Sequence, residues 1–367
     1  MIYIEFAVGL LLLIISAQVL LKGAVALATD YGIPPLIVGL TIVAFGTSAP
    51  ELAVSVQAAL TEQTDVALGN VIGSNLFNVL FIMGLCALIL PLKVSAQLVK
   101  QDIPILLALT LLVYLFALDQ LISRFNALIL IILLIAYLML LLKQSKNTEP
   151  NDSGVSATLD HISTDKKPKA SFAQSFVINM VLVIGGIAGL AFGSNLLVSS
   201  SVAFAKMLGI SELLIGLTVL AIGTSLPEIV TSLIAVFNKQ RDIAVGNIIG
   251  SNIFNLVAVL GVTGLVSSAG IPVSLGLLEF EFPFLIVFAL FCLPIAFSGY
   301  LIDRKEGFFF LAMYMLYSLY LWMNANAHPS VSMLYALLFY VLIPIAALLI
   351  AFDAYRHCRE RNKRDKH

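Results

Sequence analysis

The sequence predicts an all-α integral membrane protein built as two inverted five-helix repeats, followed by one extra C-terminal transmembrane helix. Three observations carry this prediction. Of 367 residues, 60% are hydrophobic and 11% charged, against about 25% charged in an ordinary soluble domain. The apolar residues fall in runs of the length a hydrocarbon core demands, about 17–25 residues. One polar and glycine-rich block also recurs an odd number of runs later in the chain.

Taken in order, apolar runs occupy residues 2–21, 33–60, 66–90, 103–118 and 125–142, which make the first repeat (1–142). The N-terminus, Met1-Ile2-Tyr3-Ile4-Glu5, lacks a basic region and a small-residue cleavage site, so the first run reads as a retained helix. Residues 143–172 are rich in Lys, Ser, Thr, Asp and Pro and read as a solvated cytoplasmic linker. Runs at 175–202, 211–237, 243–268, 281–298 and 307–323 form the second repeat (173–325). An eleventh run at 331–352 makes the extra helix (326–353), and a basic cytoplasmic tail (354–367) ends the chain.

Alternating through eleven spans from an outside N-terminus leaves only Arg124 and Lys206, of 20 basic residues, on the outer side. The positive-inside rule therefore predicts N-terminus out and C-terminus in. The expected location is the inner (plasma) membrane, because outer-membrane proteins are barrels. The net charge of −1 says nothing about a nucleic-acid partner, because membrane solvation dominates the composition; no nucleic acid and no obligate protein partner are expected. Cys86, Cys292 and Cys358 show neither metal-ligand spacing nor a disulfide framework.

Residues 41–84 align without a gap onto 218–261 at a constant offset of 177, with 21 identities in 44 positions. Gly-Thr-Ser-x-Pro-Glu and Gly-Asn-x-Ile-Gly-Ser-Asn-x-Phe-Asn are held while Leu, Ile and Val drift. Two arbitrary apolar helices would match the other way round. Five spans per copy is odd, so the copies enter the membrane from opposite sides, the inverted repeat common among secondary transporters.

The first motif should break its helix. Proline has no N–H and clashes with the preceding turn, and Gly46 weakens the helix ahead of Pro50. Carbonyls of Ala44 and its neighbours then lose helical partners, which a membrane tolerates only against protein or a watered cavity. The hydroxyls of Thr47 and Ser48 add neutral oxygens there, and Glu51 adds a charge. Ala221, Gly223, Thr224, Ser225, Pro227 and Glu228 repeat the arrangement from the other side. In the second motif, Ser74 and Asn78 share one helix face, as do Ser251 and Asn255.

Glu51 and Glu228 are the carboxylates expected deep in the hydrocarbon region, whereas Asp102, Glu279 and Glu281 sit near span ends, where a solvated or interfacial role is expected. No Lys, Arg or His is expected beside the two deep ones, so a bound cation is the economical counter-ion. Carboxylate, carbonyl, hydroxyl and amide oxygens are hard donors suited to Ca²⁺, and some also serve Na⁺. Asn70, Asn75, Asn247 and Asn252 read either as ligands or as interhelical hydrogen-bond glue, and the paired glycines of the second motif as close-packing contacts. No nucleophile–base pair or metal-binding histidine pair lies within the spans, which argues against an enzyme.

At these motifs the chain resembles the cation/calcium exchanger superfamily, in particular its prokaryotic sodium/calcium exchanger branch. The resemblance covers residues 1 to about 325 and implies a ten-helix exchanger core with ion sites at the midplane. It implies calcium ligands at Glu51, Glu228 and the carbonyls of Thr47 and Thr224. Sodium ligands would add Ala44, Ser48, Ser74, Ala221, Ser225 and Ser251. The first and sixth spans would slide as a gate. The transported ions bind as substrates, and no cofactor is implied. Exchangers resembling this chain carry an aspartate at one of the positions matching Asn78 and Asn255; here both are asparagine. The expected function is Ca²⁺/Na⁺ antiport. The double asparagine leaves Ca²⁺/H⁺ antiport as the alternative, and a passive channel is a third class.

Overall fold

The chain was analysed as a computed structural model describing residues 2–61, 64–147, 172–207, 223–297 and 300–348. The expected site residue Ala221, most of the linker (148–171) and the tail lie outside these residues. Among the described residues, eight helices are long and apolar enough to cross a bilayer, or nine with one bent pair counted as a span. Helix α1 is Ile2–Tyr31, the bent pair is α2 (Pro35–Thr47) and α3 (Ala49–Leu60), α4 is Ala67–Ile89, and α5 is Leu98–Ala117. Helix α6 (Arg124–Asn147) runs past the expected start of the linker. The second half holds α7 (Phe172–Met207), α8 (Leu226–Phe237), α9 (Arg241–Val266) and α10 (277–297). It ends with α11 (Arg304–Ala325) and α12 (Val331–Leu348). Eleven spans were expected. The two outside the count are the 12-residue α8, whose expected first half lies outside the described residues, and α10, with 16 residues beyond its opening turn.

Helices α5 and α10 start earlier than hydropathy predicts. Each opens with a wide π-turn, Leu98–Asp102 and Leu277–Glu281, that brings polar residues into the helix. A second matching pair of π-turns interrupts α4 at Phe77–Ile82 and α9 at Asn255–Val259. Such turns collect at functional sites, and these two contain Asn78 and Asn255.

Two short antiparallel ribbons tie the repeats together. Strand β1 (Leu92–Lys93) pairs with β4 (Leu301–Ile302), and β2 (Leu121–Ile122) pairs with β3 (Ile271–Pro272). Gln120 and Tyr300 adopt positive φ (62° and 57°) just before β2 and β4. That turn aims their carbonyls at Val273 N and Val94 N, both at 2.9 Å. Beyond the second ribbon strand, Asp303 caps α11 in a reciprocal box with Glu306.

At about 1.5 Å per residue, α1 and α7 are roughly 45 and 54 Å long, well beyond a hydrocarbon core of about 30 Å. They lie antiparallel and backbone to backbone. A Cβ on Gly9, Gly23, Gly186 or Gly193 would stand 2.7–3.1 Å from atoms of the opposite helix. At one end Ser175 Oγ and Asn179 Nδ2 donate to Asp30 Oδ2 at 2.6 and 3.0 Å. Helix α9 is the buried centre: Gly246 and Gly250 press on α2, where a Cβ would meet Leu36 O at 2.9 Å and Ala44 Cβ at 2.7 Å.

A candidate cation site between the two helix breaks

The bend between α2 and α3 is 43° and falls at Ser48, whose φ and ψ are −81° and 5°. Ser225 stands in the same place ahead of α8, with φ −88° and ψ 8°. Pro50 and Pro227 follow in the first turns of α3 and α8, where a missing N–H costs nothing. Glu51 and Glu228 share those first turns, so each carboxylate sits at the positive end of a half-helix. The Ala44 carbonyl does not lose its helical partner as the sequence suggested. It still accepts from Ser48 N at 3.0 Å, and takes Thr47 Oγ1 at 3.3 Å and Ser251 Oγ at 3.5 Å in addition. Gly46 and Gly223 make room for α7: a Cβ there would meet Ile187 at 2.6 Å and Val198 at 2.3 Å.

Each break reaches across to the other repeat. Ser225 Oγ donates to Glu51 Oε1 at 3.0 Å, and Ser48 Oγ donates to Glu228 Oε1 at 3.2 Å. Behind them, Thr47 Oγ1 donates to Asn247 Oδ1 at 3.1 Å and Thr224 Oγ1 to Asn70 Oδ1 at 3.3 Å. These asparagines in turn donate to Ser232 Oγ (2.9 Å) and Ser55 Oγ (3.1 Å). Thr47 and Ser251 hydroxyls approach to 3.3 Å, as do Ser225 and Ser74. Asn70 and Asn247 thus bond across the interface behind the two hydroxyls, which is the hydrogen-bonding alternative expected of them. Ser55 and Ser232 were missed in the sequence. The signal was there, an identical serine pair inside a stretch of the repeat where its neighbours drift.

Glu51 and Glu228 are fully buried. Among the described residues neither forms an ion pair. Glu51 Oε2, Glu228 Oε2, Asn255 Oδ1 and both polar atoms of Asn78 have no hydrogen-bond partner among the described residues. Leaving such atoms buried and unpaired costs several kcal/mol each for the charged groups. The unsatisfied oxygens come from all four residues that the two motifs offered as a near-symmetric donor set. No cluster of three or more His, Cys, Asp or Glu exists among the described residues. The site is therefore two carboxylates among neutral oxygens, chemistry that suits a hard cation and offers no soft ligand.

Asp102 corrects the expectation of a solvated place near a span end. It is fully buried, accepting from Tyr137 Oη at 3.1 Å and Gln97 Nε2 at 3.4 Å. At the matching position of the second repeat, Tyr317 Oη donates to Glu281 at 3.4 Å.

Comparison with known proteins agrees with this geometry. The sequence profile described as "Sodium/calcium exchanger protein" matches residues 1–143 and 178–323. The chain is 43% identical to CaxA of Alkalimonas amylolytica over 255 residues, 70% of this chain and 77% of that one. It is 37% identical to the inner membrane protein YrbG of Escherichia coli over 289 residues, 78% of this chain and 86% of that one. The solved structure of the sodium-calcium exchanger NCX_Mj, soaked with Na⁺ and Ca²⁺, superposes with a TM-score of 0.71 at 29% identity, covering 85% of this chain and 95% of that one. The chain is a multi-pass membrane antiporter, not an enzyme. It belongs to the sodium/calcium exchanger family.

Proposed function

We propose that this antiporter exchanges Ca²⁺ for Na⁺ by alternating access at the site between the helix breaks. Glu51, Glu228 and the carbonyls of Thr47 and Thr224 hold Ca²⁺. Ala44, Ser48, Ser74, Ala221, Ser225 and Ser251 add ligands for Na⁺, and the amide oxygens of Asn78 and Asn255 complete the set. One observation supports this reading above the others: the buried oxygens of Glu51, Glu228, Asn78 and Asn255 without partners among the described residues. The exchange of ions by the similar NCX_Mj supports the choice of Ca²⁺ and Na⁺. The test is ⁴⁵Ca²⁺ uptake by proteoliposomes under an outward Na⁺ gradient; the absence of Na⁺-driven uptake rejects the reading. A second reading, Ca²⁺/H⁺ exchange, is favoured by asparagine at both Asn78 and Asn255, which leaves two formal charges for several monovalent ions to share. Uptake indifferent to a pH gradient at fixed Na⁺ rejects it.

The architecture proposed with this function is a ten-helix core of two inverted repeats (1–142 and 173–325), with linker, eleventh helix and tail added. The ribbons support it. Each pairs loops that must lie on one face of the membrane, and an even number of crossings separates them when α8 counts as one. The distribution of Lys and Arg supports an outside N-terminus, and similarity to an inner membrane protein supports that location.

A further inference from the structure

Hydrogen bonds around the two carboxylates come in pairs related by the repeat, and those among the neighbouring asparagines do not. Asn255 Nδ2 donates to Asn75 Oδ1 at 3.1 Å, and Asn75 Nδ2 donates to the Asn252 carbonyl at 3.2 Å. Their repeat mates behave differently. Asn78 and Asn252 are equally buried, yet among the described residues neither side-chain polar atom of either one has a partner. The offset of 177 relates Asn75 to Asn252 and Asn78 to Asn255. The same four residues therefore define a mirrored set of bonds, Asn78 to Asn252 and Asn252 to the Asn75 carbonyl, that this conformation leaves unmade.

We propose that Asn75 and Asn252 are positioning residues that act in alternation, each orienting the ligand asparagine of the opposite repeat in one of the two access states. The proposal rests on the reading of Asn78 and Asn255 as ligands. A carboxamide offers two N–H donors and one acceptor oxygen. With its nitrogen held by Asn75, Asn255 has a fixed rotation and presents a free oxygen; Asn78, bonded at neither atom, is not fixed. Alternating access gates one repeat or bundle against the other around the site, and the mirrored bonds belong to the opposite access state. The exchange here gives up two hydrogen bonds and makes two equivalent ones. The two states therefore stay near balance while the fixed oxygen moves from one side of the site to the other.

The test uses full-length protein with Cys86, Cys292 and Cys358 replaced and a reporter introduced as Ala258→Cys. Ala258 lines a small cleft with Phe45, Ser48 and Phe254. Maleimide labelling of the reporter reads conformation without ion flux, so failure of the Ca²⁺/Na⁺ reading leaves this measurement intact. Asn75→Ala removes the clasp present here, and Asn252→Ala removes its mirror. Each removes two hydrogen bonds from one state and should shift the equilibrium between the states by about thirtyfold, at about 1 kcal/mol net per bond, in opposite directions, so that the labelling rate rises in one variant and falls in the other. Asn75→Ala/Asn252→Ala should return it to the parental rate, an outcome that mere loss of packing does not produce. Shifts in the same direction, no shift, or a double variant that departs further from the parent would overturn the proposal.

Discussion

At the scale of residues, the site depends on hydroxyls that cross from one repeat to the carboxylate of the other. Ser225 to Glu51 and Ser48 to Glu228 are equivalent bonds to charged acceptors, a class contributing about 1.5–3 kcal/mol. Ser225→Ala and Ser48→Ala should therefore each raise the apparent KM for Ca²⁺ by about tenfold or more, and by similar factors. The Ca²⁺ dependence of initial uptake rates checks this; a large effect at one serine and none at the other would break the paired description. The residues proposed as ligands stood out in the sequence because the repeat held them fixed among drifting aliphatics. Their partners were not. Spacing shows that Ser74 and Asn78 share a face, but says nothing of which oxygen lies across the interface.

At the scale of elements, close backbone packing sets which positions tolerate change. A Cβ on Gly186 would stand 2.7 Å from the backbone of Leu20, whereas one on the exposed Gly185 meets nothing within 4 Å. Gly186→Ala should lower the midpoint of thermal unfolding in detergent by several degrees, and Gly185→Ala should leave it unchanged. Equal effects would mean that α1 and α7 are not in backbone contact. The buried carboxyl at the start of α5 makes a second case. Tyr137→Phe removes one of the two bonds to Asp102, costing about 1–3 kcal/mol, and Tyr137→Phe with Asp102→Asn should recover part of the loss in the same measurement. Hydropathy missed this pair for a physical reason. Lys100, Gln101 and Asp102 pull the local average down, so the helix was expected to begin after them, and the tyrosine that covers Asp102 comes from the next helix.

At the scale of the whole molecule, the two ribbons join the repeats at loops that the proposed topology puts on opposite membrane faces. Lys93 and Leu301 are direct partners in one ribbon, and Leu121 and Pro272 in the other. Single cysteines at 93 and 301 should be labelled by an impermeant maleimide from one side of sealed vesicles, and those at 121 and 272 only from the other. Labelling of all four from one side would contradict the inverted topology. The overall architecture was legible because runs of apolar residues and a gapless repeat are both long-range signals. The ribbons were not, since two-residue strands carry too little pattern to be seen.

The central claim is that two carboxylates contributed by inverted repeats bind the calcium that sodium displaces. Its most direct test is ⁴⁵Ca²⁺ uptake into proteoliposomes under an outward Na⁺ or an outward H⁺ gradient, with Glu51→Gln and Glu228→Gln alongside the parent protein. The account predicts Na⁺-driven uptake in the parent and none in either variant. Uptake driven by H⁺ alone, or Na⁺-driven uptake that survives loss of either carboxylate, would contradict it.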